Sequence, residues 1–168
     1  MILKIKLLFI KEVIFQIMNK KAKLRYNNYS GYPDAVYITD NNQVICSEYK
    51  KNLAKDVNYN ITGLMFKSKI IGQISQAIIG LYLVLENQSN LKDREYFIQL
   101  KDIHGTLTIK MDKSYYNNIL NILLTYGKKH DFNCPSDFYY KSKADLRGLL
   151  YPHFKNIIDH YINNYEWN

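Results

Sequence analysis

Ala35-Val36-Tyr37-Ile38-Thr39, then Asp40-Asn41-Asn42-Gln43, then Val44-Ile45-Cys46-Ser47-Glu48-Tyr49-Lys50, is the stretch whose reading decides the fold. The two flanking runs are rich in β-branched and aromatic residues, and the cluster between them is turn-forming, so the segment predicts a β-hairpin. Successive strand side chains alternate faces. Glu48 and Lys50 therefore point one way, together with Cys46, and Tyr49 points the other. Asp34, behind Pro33, opens the first strand, and in an antiparallel pair the start of one strand lies beside the end of the next. Asp34, Glu48 and Lys50 are expected to converge. Two carboxylates held close together repel unless a cation lies between them, and hard oxygen donors suit Mg2+ or Mn2+.

Pro33-Asp34 with Glu48-x-Lys50 resembles the signature of the PD-(D/E)xK nuclease superfamily, and the likeness runs over about residues 20–100. The apolar run Ile70 to Tyr82, carrying Gln73, looks like the helix that follows the catalytic strand in that family, where a Gln often supports the site. The resemblance implies an α/β (α+β) restriction-endonuclease-like fold, a mixed central sheet flanked by helices. It implies a Mg2+- or Mn2+-dependent nuclease acting on phosphodiester bonds in DNA. Asp34, Glu48 and the carbonyl of Tyr49 would bind the metal, Lys50 would position or activate the attacking water, and Gln73 would support them. Members often begin with a helix that adds a Glu near the metal, which makes Glu12 a candidate. Restriction-like enzymes are often dimers, so a homodimer is one expected state.

Composition sets the wider frame. The 168 residues, 47% apolar and 23% charged, fit a single domain with a sizeable core. A formal charge of +8 and a pI near 9.3 favour a polyanionic partner, nucleic acid being the economical choice. An AT-rich coding sequence would also enrich Lys, Asn, Ile and the sixteen Tyr, and accounts for part of that basicity. Cys46 and Cys134 are too few for a disulfide framework and have no metal-ligand spacing, and the four His are scattered. Reduced cysteines, no zinc site and a cytoplasmic location are the expectation.

Residues 1–18 are densely apolar but too short and too interrupted, by Lys4, Lys6, Lys11 and Glu12, to span a membrane, and they carry no cleavage site. One reading is a buried first helix. In another, Lys11-Glu12-Val13 is what a bacterial ribosome-binding sequence would spell, the native chain begins at Met18, residues 1–17 fall away with Glu12, and the source is a bacterium or its phage.

Downstream, 51–60 is a polar connection and Ile61 to Phe66 a short strand or loop. A helix over 70–86 follows, with residues 81–85 open to an extended reading. Gln73 and Gln76 share a helix face, turned either to the metal pocket or to solvent. Residues 95–101 and 106–111 predict a second hairpin. The last third, 113–168, reads as a helical extension: a helix over 113–128 with Gly127 as C-cap, and one from about 144 to 165 with Ser142 as N-cap and a break or kink near Pro152. Lys128, Lys129, Tyr140, Lys141, Lys143 and Arg147, with His130 and Tyr139, form a basic and aromatic cluster. Such mixing suits nucleic-acid contact, and solvated charges around a tyrosine-rich core edge explain it as well. The reading from a different class is a non-catalytic basic binding protein, such as a phage-encoded inhibitor of a host defence complex or a nucleic-acid-binding accessory.

Overall fold

The hairpin expected at residues 35–50 forms the middle of the sheet in the computed structural model, which describes residues 13–16, 23–51, 63–103 and 105–163. Strand β4 (Ala35–Thr39) pairs antiparallel with β5 (Gln43–Tyr49), Ala35 opposite Ser47 and Thr39 opposite Gln43. Gln43 belongs to the strand, so the loop is Asp40-Asn41-Asn42, and Asn42 takes φ 61° as a three-residue hairpin loop requires of its last position. The two N-terminal hairpin strands, β2 (Leu24–Tyr26) and β3 (Tyr29–Gly31), turn through Asn27 at φ 52° and make a separate two-stranded sheet.

Helix α1 (Leu64–Asn87) carries the chain from β5 across to β6 (Glu95–Asp102), which lies parallel to β5 with Glu48 opposite Leu100. Strand β7 (Gly105–Met111) returns antiparallel to β6, and β1 (Val13–Gln16) pairs antiparallel with the outer edge of β4. The result is a mixed α/β architecture, a sheet ordered β1-β4-β5-β6-β7 flanked by helices. The strand at Val13–Gln16 corrects the expectation of a first helix there: β-branched and aromatic Val13, Ile14 and Phe15 complete the ladder that the edge of β4 leaves open. Glu12 lies outside the described residues, as do His104 and most of the 51–60 connection.

Helix α1 is the hub of the core. By length and composition it would cross a membrane, yet every residue from Ile70 to Leu85 is buried in protein. Sheet strands β5 and β6 cover one side, and the β2–β3 hairpin and the remaining helices cover the others. Burial all round explains why its apolar residues show no stripe. The helix is continuous through residues 81–85, and it begins at Leu64, so Leu64-Met65-Phe66 is its first turn rather than a strand or loop. The Lys67 amide closes that turn on the Gly63 carbonyl.

Helices α2 (Lys113–Lys129), α3 (Asp137–Tyr140) and α4 (Ala144–Asn163) complete the described chain. Asp112 caps α2 by accepting from the Ser114 amide at 2.9 Å. At the other end the helix runs past Gly127: the left-handed residue is Asp131, φ 55°, and the Phe132 and Asp131 amides close on the carbonyls of Gly127 and Lys128. Gly127 is a packing glycine instead, because a Cβ there would overlap the Tyr29 hydroxyl and the Phe138 ring. Helix α4 begins two residues after Ser142, with the Lys143 carbonyl accepting from Leu146 and Arg147, so Ser142 does not cap it. The helix also passes through Pro152 without a break, where the residue one turn before is Gly148, at which an added Cβ would meet open space.

Candidate active site

Asp34 stands opposite Glu48 by extension of the β4–β5 register, one step beyond the Ala35–Ser47 pair. Its Oδ2 accepts the Tyr49 amide at 2.7 Å, which fixes the carboxylate across the end of β5. Glu48 is 1% exposed, on the face of β5 that looks at α1, and its carboxyl lies within hydrogen-bonding reach of Asp34. Burial, then the Asp34 charge and that hydrogen bond, push the Glu48 carboxyl well above the usual carboxylate range, against the opposing pull of Lys50. Glu48 Oε1 has no hydrogen-bond partner although it is fully buried. An orphaned anionic oxygen beside a second carboxylate is costly unless a proton or a cation is shared between them.

Helix α1 can approach this point because residue 80 is glycine. A Cβ there would come 3.1 Å from Cys46 Sγ and 3.6 Å from Glu48 Oε1, with Pro33 Cγ at 3.8 Å. Cys46 thus shares the site face of β5, and burial with the Glu48 and Asp34 charges raises its thiol well above the ordinary range. It is held as a neutral filler, with no thiolate to attack a substrate. Gln73, two turns earlier on the same helix, donates from Nε2 to the main-chain oxygen of Glu48 at 3.2 Å. Gln76 is also buried and lines a cleft of about 380 Å³ with Tyr32, Ser30 and Lys23. Neither glutamine belongs to a solvent-facing stripe.

Lys50 follows the last residue of β5, yet its backbone stays in the sheet, the amide donating to the Lys101 carbonyl at 2.9 Å. Its ammonium lies 4.0 Å from the ring centroid of Tyr139 and 5.1 Å from that of Tyr140. Burial lowers the Lys50 pKa, Glu48 and Asp34 oppose that shift, and Lys69 adds to it. Lys69 itself lies 4.9 Å from the Tyr139 ring. The aromatic wall comes from α3, whose backbone is seated on α1 at Gly72: a Cβ there would meet Tyr139 Cα at 3.1 Å and the Phe138 carbonyl at 3.2 Å.

The structure therefore brings Asp34, Glu48, Lys50 and Gln73 to one point, and adds Tyr139, Lys69 and Gly80. Tyr140 belongs to the same place. Lys141 instead pairs with Asp137 at 3.2 Å, and the Lys143 amide donates to the Tyr126 hydroxyl. Lys128 and Lys129 are exposed at the end of α2, where Lys128 lines a second cleft of about 660 Å³ with Tyr82 and Asn28, and Arg147 is half-buried on α4. Tyr139 belongs to the basic and aromatic cluster expected from the sequence, but its contact with Lys50, like the proximity of Lys69, lies beyond the reach of motif spacing. Among the described residues no three His, Cys, Asp or Glu side chains gather as a metal cluster. The available hard donors are the two carboxylates and main-chain oxygens of β5.

No family model, no curated protein and no solved structure matches this chain.

Proposed function

We propose that this protein is a Mg2+- or Mn2+-dependent nuclease of the PD-(D/E)xK type that hydrolyses phosphodiester bonds in DNA. The observation that carries the reading is the pairing of Asp34 with a buried Glu48 whose Oε1 has no partner, beside the ammonium of Lys50. Support also comes from the placement of the signature on an antiparallel hairpin followed by a helical crossover to a parallel strand, as a restriction-endonuclease-like core requires.

The donor set fits a hard divalent cation: two adjacent carboxylates, one of them buried with an unpartnered oxygen, and among the described residues no thiolate or imidazole joins them to favour a softer metal. Asp34 and Glu48 would hold it, with the Tyr49 carbonyl as the third donor. When bound, the cation supplies activation of water and neutralisation of charge on the phosphate. The chain does the rest. The Tyr49 amide orients Asp34, and Gln73 orients the end of β5. Lys50 Nζ is held against Tyr139, where the two carboxylates favour its ammonium form against the opposing effect of burial, and in that form it would present positive charge to the non-bridging phosphate oxygens as the P–O bond breaks. Burial of Glu48 and Cys46 excludes water from the helix side of the site.

The test is cleavage of plasmid, single-stranded DNA and RNA in Mg2+ or Mn2+. Asp34→Ala and Lys50→Ala should each abolish cleavage while circular dichroism shows a folded chain. Undiminished cleavage by both variants overturns the proposal, and substrates all left whole by the wild type would favour the non-catalytic binding protein.

A further inference from the structure

Helix α3 places two tyrosines at the site in opposite circumstances. Tyr139 is buried with its face over the Lys50 ammonium, whereas Tyr140 is 70% exposed although it is large and aromatic. The rings stand edge to face, centroids 4.8 Å apart at 86°, so Tyr139 braces Tyr140 from within. The centroid of the Tyr140 ring is also 5.1 Å from Lys50 Nζ, which puts an exposed aromatic ring beside the lysine of the site. Lys50 and Lys69 set two cations around this pair of rings. An aromatic platform with flanking cations is what a single-stranded nucleic acid binds, the cations taking phosphates and the ring taking a base. A base inside a duplex is already stacked on both sides and has no free face to offer.

We infer that Tyr140 is a base-stacking platform and that the substrate enters as a single strand, with the base next to the scissile phosphate lying on the Tyr140 ring. This rests on the nuclease reading of Asp34, Glu48 and Lys50 and adds the substrate class. Tyr140 acts by contact with substrate. Its hydroxyl is not required, so phenylalanine should replace it.

Binding of the full chain to a fluorescein-labelled oligonucleotide of mixed sequence, single-stranded or annealed, is measured by anisotropy in Ca2+, and cleavage is measured separately in Mg2+. Tyr140→Ala should weaken single-strand binding roughly tenfold or more and Tyr140→Phe by less than about twofold, with duplex binding unchanged for both. A 2-aminopurine base next to the cleaved bond should be quenched by the wild type and not by Tyr140→Ala. Equal single-strand affinity for wild type and Tyr140→Ala, or equal losses on single strand and duplex, overturns the inference. Should that occur while Asp34→Ala still abolishes cleavage, the stacking role falls and the nuclease stands. A wild-type chain that binds neither oligonucleotide overturns both.

Discussion

Gln73 donates its side-chain amide to the main-chain carbonyl of Glu48 at 3.2 Å, with both residues buried, so one hydrogen bond ties the middle of α1 to the end of β5. Gln73 Oε1 meanwhile has no partner. Gln73→Met keeps the length of the side chain but leaves the Glu48 carbonyl without this donor, a cost of about 1–3 kcal/mol partly offset by removal of the orphaned oxygen. Denaturant melts should show a modest loss. Mn2+ titration calorimetry should show a larger one, because the strand end that presents Glu48 loses its tether; unchanged Mn2+ affinity would contradict this role.

Asp34→Asn separates charge from geometry. The amide oxygen can still accept from the Tyr49 amide, so the strand end should keep its shape, while the repulsion with Glu48 disappears. The metal-free variant is expected to melt no lower than wild type and to have lost both Mn2+ binding and cleavage. A large fall in Tm without metal would show that the carboxylate is needed for structure.

Glu48 makes stability depend on pH in a definite direction. Its folded pKa is raised, chiefly by burial and then by Asp34, above the 4.5 of an unburied glutamate. The sheltered proton therefore stabilises the fold fully below about 4.5, and that contribution is lost as pH rises through the folded pKa. The metal-free chain should lose Tm across this window. Mn2+ should restore Tm at neutral pH and have little effect in acid, and Glu48→Gln should flatten both responses. A metal-free Tm that climbs through the same window would refute the assignment.

Gly80→Ala tests the close approach of helix and strand. Alanine gains up to about 1 kcal/mol of helix propensity, but its Cβ would press on Cys46 Sγ at 3.1 Å, and overpacking of this kind costs about 1–3 kcal/mol. Net destabilisation is expected, with Cys46→Ala in the same chain recovering much of it. Additive losses in that double mutant would mean the two positions do not meet.

The central hairpin was legible because alternation, turn chemistry and acidic spacing at Asp34 and Glu48 all agree, and these are local signals. The second hairpin was legible for the same reason. The start of α1 was hidden because Leu64-Met65-Phe66 is as apolar as a strand, and only tertiary burial decides between the two. Gly127 looked like a helix end, yet its lack of a side chain serves the Tyr29 hydroxyl, a neighbour that no local reading supplies. The β2–β3 turn at Asn27-Asn28 carries a local signal too, an Asn pair between tyrosines. At the site, Asp34, Glu48 and Lys50 are close in sequence, whereas Tyr139 reaches Lys50 only through the seat of α3 on Gly72.

That seat has a consequence for the birth of the molecule. A nascent chain that has emerged only as far as β7 already holds Asp34, Glu48, Lys50 and Gln73, and can pair β5 with β6. The wall against which Lys50 rests arrives only with residues 137–140, after α2 has been made. Such long-range closure is slow relative to local pairing. The charged cluster is thus assembled early and finished late, so the protein completes its site only after residues 137–140 have been synthesised.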